Sequence, residues 1–162
     1  MELVNQKIKI VPFEDRHAAA FKRLNLEWLE AYDLFEPADL KYLDKPQSVI
    51  LKQGGRILIA IADDIVIGTC AIIKETSQTA ELAKLAVSPD ARGKGIGRML
   101  TLESIKMAGR MGFKKIILVS NKKLKTAVQL YESLGFTHAP VPENTLYATA
   151  DIYMEFKIGV HK

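Results

Sequence analysis

The spacing of apolar positions changes repeatedly along the chain, and each change predicts a boundary between elements. Lys7–Val11 alternates polar and apolar residues, which predicts a first strand closed by Pro12. Phe21, Leu24, Trp28, Tyr32 and Phe35 then fall at helical spacing. They predict a helix capped by Asp15 and ending near Glu36-Pro37, because the residue before a proline disfavours helical backbone. Short helices are expected around Ala38–Leu43 and after Pro46, stopped by Gly54-Gly55.

From Arg56 the pattern becomes that of strands. "RILIAIA", a turn at Asp63-Asp64 and "IVIGTCAIIKE" predict an antiparallel hairpin, with "TAELAKLAV" as the next strand. Pro89 to Arg92 leave the sheet. From about Gly95, the residues Ile96, Leu100, Met107 and Met111 form one helical face until Gly112 ends it, with Glu103 as a solvated edge residue. "KKIILVS" is a further strand. Ala127, Leu130, Tyr131 and Leu134 mark an amphipathic helix stopped by Gly135, with Phe136 packing beyond it, and "TLYATADIYMEFKI" reads as a final strand or hairpin. The fold class expected is mixed α/β. No repeat or interdomain linker interrupts the pattern, so residues 1–162 are expected to form a single domain.

With 48% apolar and 26% charged residues, the composition is that of a folded globular chain and excludes a disordered or fibrous one. The lone Cys70 has no internal disulfide partner, and within "IGTCAII" it reads as a small buried apolar residue. The apolar runs "ILIAIA" and "IVIGTCAII" fall well short of the roughly 18 residues of a membrane helix, and the N-terminus carries no signal pattern. A cytoplasmic location without membrane association is expected. The net charge of +4 is mild and suits an anionic small molecule. The basic residues gather around one loop with no interleaved aromatic stripe, which argues against nucleic acid as a partner. No metal is expected.

That loop is "SPDARGKGIGRML", Ser88 to Leu100. A strand leading through glycines into a helix N-terminus is a physical recipe for holding an anion, since the first helical N–H groups lack partners and the helix dipole favours negative charge. A P-loop is excluded, because Gly93-Lys94 has Ser88 where the first glycine should stand. A dinucleotide fingerprint starting at Gly93 would need glycine or alanine at Arg98, and "GFKK" offers no acidic residue for a ribose. Arg92-Gly93-Lys94-Gly95-Ile96-Gly97, preceded by "AELAKLAVSP", resembles the acetyl-CoA-binding motif of the GCN5-related N-acetyltransferases, the GNAT family. The resemblance extends to "LVSN" and "TAVQLYESLGF", between Leu118 and Phe136. It implies the GNAT, or acyl-CoA N-acyltransferase, fold over essentially the whole chain: a central, mostly antiparallel twisted sheet with a splayed parallel strand pair, flanked by helices.

By that resemblance, backbone amides of Arg92, Gly93, Lys94, Gly95, Ile96, Gly97 and Arg98 cradle the coenzyme's pyrophosphate, with Lys94 and Arg98 neutralising charge. Lys122, Lys123 and Lys125 read instead as a solvated face. Leu85, Ala86 and Val87 pair their backbone with the pantetheine arm, and the thioester enters between this strand and "KKIILVS". Leu124 stands where the family often has Asn, so Asn121 is the replacement contact. Tyr131 occupies the position of the family's proton donor to the coenzyme sulfur, although it also lies on the apolar stripe of its helix. Glu81 matches the family's general base, and a solvated strand-end carboxylate is the equal alternative. Strand alternation places Glu81 with Ala83, Leu85 and Val87 and sends Lys84 to the opposite face, a parity that a bulge would change.

The expected function is transfer of the acetyl group of acetyl-CoA to a primary amine of a small molecule or peptide. A CoA-binding regulatory or interaction module on the same fold is the alternative. The acceptor's identity stays open, as does assembly as a homodimer. Glu27, Glu30, Asp33, Glu36 and Asp39 make their segment acidic and read as a solvated helix face rather than as an attractor for a cationic amine.

Overall fold

The computed structural model describes residues 7–159. In chain order its regular elements are β1 (Ile8–Pro12), α1 (Ala18–Ala31), α2 (Asp39–Asp44), β2 (Arg56–Ala62), β3 (Ile65–Lys74), β4 (Thr79–Val87), α3 (Ile96–Arg110), β5 (Lys115–Ser120), α4 (Lys125–Ser133), β6 (Thr137–Ala139) and β7 (Ile152–Lys157). The strands form one seven-stranded sheet in the order β1-β2-β3-β4-β5-β7-β6. All neighbours are antiparallel except β4 and β5, which α3 joins as a parallel crossover requires.

Strand alternation builds two cores. Ile57 and Ile59 point to one face and pack with Phe21 of α1 and Leu43 of α2, while Leu58 and Ala60 point to the other and join Ile96 and Leu100 of α3 and Val128 of α4. Gly68 of β3 sets how closely α3 can approach. A methyl group there would stand 2.9 Å from Leu100 Cδ1 and 3.2 Å from Ile96 Cγ2, so the first turns of α3 lie directly on the sheet. Cys70 is fully buried beside them.

Several boundaries differ from the sequence expectation. Asp15 does not cap α1: it opens a short 3-10 turn, Asp15–His17, whose entry is held by a hydrogen bond from Glu14 N to His17 Nδ1. The helix ends at Ala31, about a turn early, because Asp33 takes a left-handed φ of 55°. The chain then buries Leu34 and leaves Phe35 exposed. Of "TLYATADIYMEFKI", only Ile152–Lys157 is strand, pairing with β5 on one side and with the short β6 on the other.

The parallel pair makes the opening that matters. Its pairing covers only Thr79–Glu81 against Lys115–Ile117, after which the two strands diverge. β4 also carries a bulge: Ala83 faces Ala71 and Ala86 faces Thr69, so Lys84 and Leu85 stand opposite Cys70 alone. Lys84 sits at φ 55°. Thr69 Oγ1 donates to the Lys84 carbonyl at 2.8 Å, and Asn25 Nδ2 of α1 donates to Thr69 Oγ1 at 3.0 Å, so a buried relay pins the bulge.

Candidate active site

Two adjoining depressions lie at and beside the splay. The first, a groove of about 450 Å³, is lined by Leu85 and Val87 of β4, by Arg92, Gly93 and Gly95 of the loop, by the first turn of α3 and by Leu130 of α4. Gly93 and Gly95 hold φ of 77° and 79°, left-handed values that favour glycine, and Gly95 directly precedes α3. Gly97 lies inside the helix, and an added methyl group would only touch Leu130 at 3.7 Å and Val87 at 4.0 Å. Protein packing therefore does not require glycine there, while close approach of a ligand to the backbone would. Arg92 anchors the loop: its guanidinium lies 4.8 Å from the Trp28 ring, and its Nε donates to the Val87 carbonyl at 3.2 Å. Lys94 and Arg98 are exposed, and Arg98 lines the groove. With the unpaired N–H groups of the first helical turn, this is an anion site of the kind an extended diphosphate ligand fits.

The second depression, about 130 Å³, adjoins the groove, sharing Trp28, Leu85 and Ala127 with it. Glu81, Lys84, Asp39, Tyr131 and Tyr147 line it. Burial, reinforced by the neighbouring Glu75 carboxylate and opposed by Lys84, pushes the Glu81 carboxyl up to about 8. Tyr131 is buried to 8% exposure and packs its ring on Phe136 at 5.7 Å. Its hydroxyl has no hydrogen-bond partner among the described residues, and burial, with a smaller contribution from Cys70, raises its pKa far above the usual phenol range. It is a proton donor held neutral beside a cavity.

The residues 20–136 match the sequence profile of the Acetyltransferase (GNAT) family. The chain belongs to that family. An uncharacterized N-acetyltransferase, YjgM, of Escherichia coli K12 is 39% identical over 71 residues, 44% of this chain and 42% of its own length. The chain spans less than half the length of the curated relatives it matches. Among solved structures, a GNAT-family acetyltransferase from Staphylococcus aureus Mu50 superposes with a TM-score of 0.85 over 94% of this chain and 100% of its own, at 18% identity. The PaiA N-acetyltransferase from Thermoplasma acidophilum, solved in complex with coenzyme A, gives 0.75 over 93% and 99% at 20% identity. These likenesses establish the GNAT fold, including the mostly antiparallel sheet with its splayed parallel pair.

Against the GNAT expectation, the structure brings Arg92, Gly93, Gly95, Ile96, Gly97, Arg98, Leu85 and Val87 around one groove, with Glu81 and Tyr131 in the adjoining cavity, while Lys94 stays outside the groove's lining. Other expectations change. The bulge reverses the strand's parity, so Leu85 and Val87 pack with the α3 and α4 core and no longer share a face with Ala83. Lys84 does not point away from Glu81; it lines the same cavity. Ala86 is buried at 1% exposure and lines neither depression, so the structure does not bring it to the site with Leu85 and Val87. Asn121 spends its side chain on the protein, donating from Nδ2 to the Thr149 carbonyl at 2.6 Å and accepting from Lys123 N at 2.9 Å.

Two of the acidic residues read as a solvated helix face are built into the site. Asp39 is 2% exposed; its Oδ1 receives Lys84 Nζ at 2.7 Å and its Oδ2 receives Glu36 N at 2.8 Å. Removing either member of such a buried pair strands a charge, at a cost of about 3–5 kcal/mol. Glu36 accepts hydrogen bonds from the N–H groups of Ala148 (3.0 Å) and Thr149 (2.9 Å) and from the Thr149 hydroxyl (2.5 Å). Burial would raise its pKa, but those hydrogen bonds outweigh it and the carboxyl stays below its ordinary value. Glu36 thereby ties the segment between β6 and β7 to the cavity's rim. Neither residue announces itself in sequence, whereas Lys84 does: a lysine inside the apolar strand "ELAKLAV" needs a buried partner.

Proposed function

We propose that this acetyltransferase moves the acetyl group of acetyl-CoA directly to a primary amine of a small molecule or peptide. The observation that carries this is that the glycine-loop groove and the cavity lined by Glu81 and Tyr131 adjoin, sharing Trp28, Leu85 and Ala127 in their walls. A ligand with its phosphates on the glycine loop and its arm along Leu85–Val87 has its far end directed to those two residues. Open space above Gly93 and Gly95, and the dispensable glycine at 97, fit such a ligand. So does the coenzyme A bound by the Thermoplasma acidophilum neighbour.

Bound acetyl-CoA supplies an activated thioester carbonyl. Glu81 accepts the proton of the attacking amine, for which a carboxyl at about 8 is suited near neutral pH. As the N–C bond forms and the C–S bond breaks, Tyr131 gives its phenolic proton to the departing sulfur. Conversion of Tyr131 to Phe keeps the ring and deletes only the donor. Turnover is then expected to fall roughly 10²-fold with coenzyme affinity unchanged. Equal turnover in Tyr131→Phe would reduce Tyr131 to a packing residue.

The direct test follows free thiol with acetyl-CoA and a panel of amines. Acceptor-dependent thiol release is expected. At a hundredfold excess over its dissociation constant, acetyl-CoA should also stabilise the fold by about 2.7 kcal/mol, read as a rise in Tm. Stabilisation without thiol release across a chemically broad panel would support the CoA-binding module instead.

A further inference from the structure

Lys84 is the one lysine or arginine lining the smaller cavity among the described residues. In a regular strand it would face away from Glu81, three positions before it. The bulge, with Lys84 at φ 55°, brings both into one cavity. An ammonium has three N–H donors. One goes to Asp39 Oδ1 at 2.7 Å and another to the Tyr147 hydroxyl oxygen at 3.2 Å, and the third has no partner among the described residues. The Nζ also lies 5.5 Å from the Tyr42 ring and 5.1 Å from the Tyr147 ring. With its side chain only 7% exposed, the remaining donor has little access to water, and a buried donor left unpaired is costly.

Nothing in that arrangement leaves the Lys84 side chain free to swing, because Asp39, the Tyr147 hydroxyl and the two aromatic faces hold its Nζ in place. A fixed, desolvated cation with a spare donor is a receptor for an anionic oxygen. Asp39 does not close the site, since its second oxygen is committed to Glu36 N. Glu81, on the same cavity wall, is the proton acceptor toward which the amine would lie.

Resting on the reading of this chain as an acetyl-CoA-dependent amine acetyltransferase, we propose that its acceptor is a compact amine bearing a carboxylate a few bonds away, as in an amino acid. Lys84 holds the carboxylate and Glu81 faces the amine. The cavity of about 130 Å³ suits so small a molecule.

The test compares kcat/KM for alanine, serine and aspartate with that for their primary amides and for simple amines of matching length. The carboxylate-bearing acceptors are expected to be favoured at least tenfold, even though the amides present a larger fraction of neutral amine. The double variant Lys84→Met with Asp39→Asn removes both charges together, so no buried charge is stranded. It should erase that preference while keeping the acetyl-CoA-induced rise in Tm. Transfer to amides or simple amines as fast as to carboxylate-bearing acceptors overturns the assignment of Lys84 and leaves acetyl transfer standing. Bound acetyl-CoA with no transfer to any acceptor overturns both.

Discussion

Glu81→Gln is expected to lower kcat/KM for acetyl transfer by roughly 10²- to 10⁴-fold, the range that a positioned general base contributes. It should also change the shape of the pH profile. The wild-type rate is expected to rise through a limb centred at about 8, the value to which burial and Glu75 push this carboxyl, because the base works only when deprotonated. In the Gln variant that limb should vanish, leaving only the limb set by the amine itself. Stability carries an independent sign. A carboxyl raised in the folded state from 4.5 to about 8 favours folding most when protonated, so its contribution is full below 4.5 and is lost as pH climbs through 8. Glu81→Gln should therefore gain stability relative to wild type across that interval while losing activity, as followed by thermal unfolding at several pH values. An unchanged pH–rate curve with a verified amine acceptor would pass the proton to water or another residue.

Gly97→Asp is expected to weaken acetyl-CoA binding by at least about 100-fold, since it sets a carboxylate and added bulk where the helix dipole and loop amides receive phosphate. The fold should survive. Only ordinary contacts at 3.7 and 4.0 Å await an added Cβ, and aspartate in a first helical turn agrees with the dipole. Gly97→Ala separates the causes: a helical Gly→Ala change stabilises by roughly 1 kcal/mol, so a more stable protein with weaker coenzyme affinity would show that the glycine serves the ligand. Gly95 makes a poorer probe, because its φ of 79° strains any replacement. Calorimetric titration with acetyl-CoA checks both variants, and undiminished affinity in folded Gly97→Asp would place the coenzyme elsewhere.

Local rules made much of this chain legible. The hairpin turn at Asp63-Asp64, both left-handed at φ 50° and 62°, follows from residues that tolerate that conformation. The anion loop follows from Gly93, Gly95 and the helix start beyond them. What stayed hidden depends on partners distant in sequence. The bulge at Lys84 is specified by Thr69 and Asn25, and no pattern within "ELAKLAV" reveals which residue is extra. Asp39 looks like one more surface acid until Lys84, 45 positions away, is seen to meet it. Glu36 bonds a segment more than 100 positions on, at Ala148 and Thr149. Strand β6 is too short, at three residues, to show an alternation of its own. The smaller cavity is thus assembled from long-range polar contacts, which composition and period do not encode, and the glycine loop beside the larger groove from a contiguous motif, which they do.

A crystal structure of the protein with acetyl-CoA tests the central claim most directly. The pyrophosphate is expected on the backbone amides between Arg92 and Arg98, the pantetheine arm along Leu85–Val87, and the thioester in the splay between β4 and β5, its sulfur within hydrogen-bonding reach of the Tyr131 hydroxyl and its carbonyl facing the cavity of Glu81. A coenzyme bound outside that splay, or one whose thioester lies away from Tyr131 and Glu81, would contradict it.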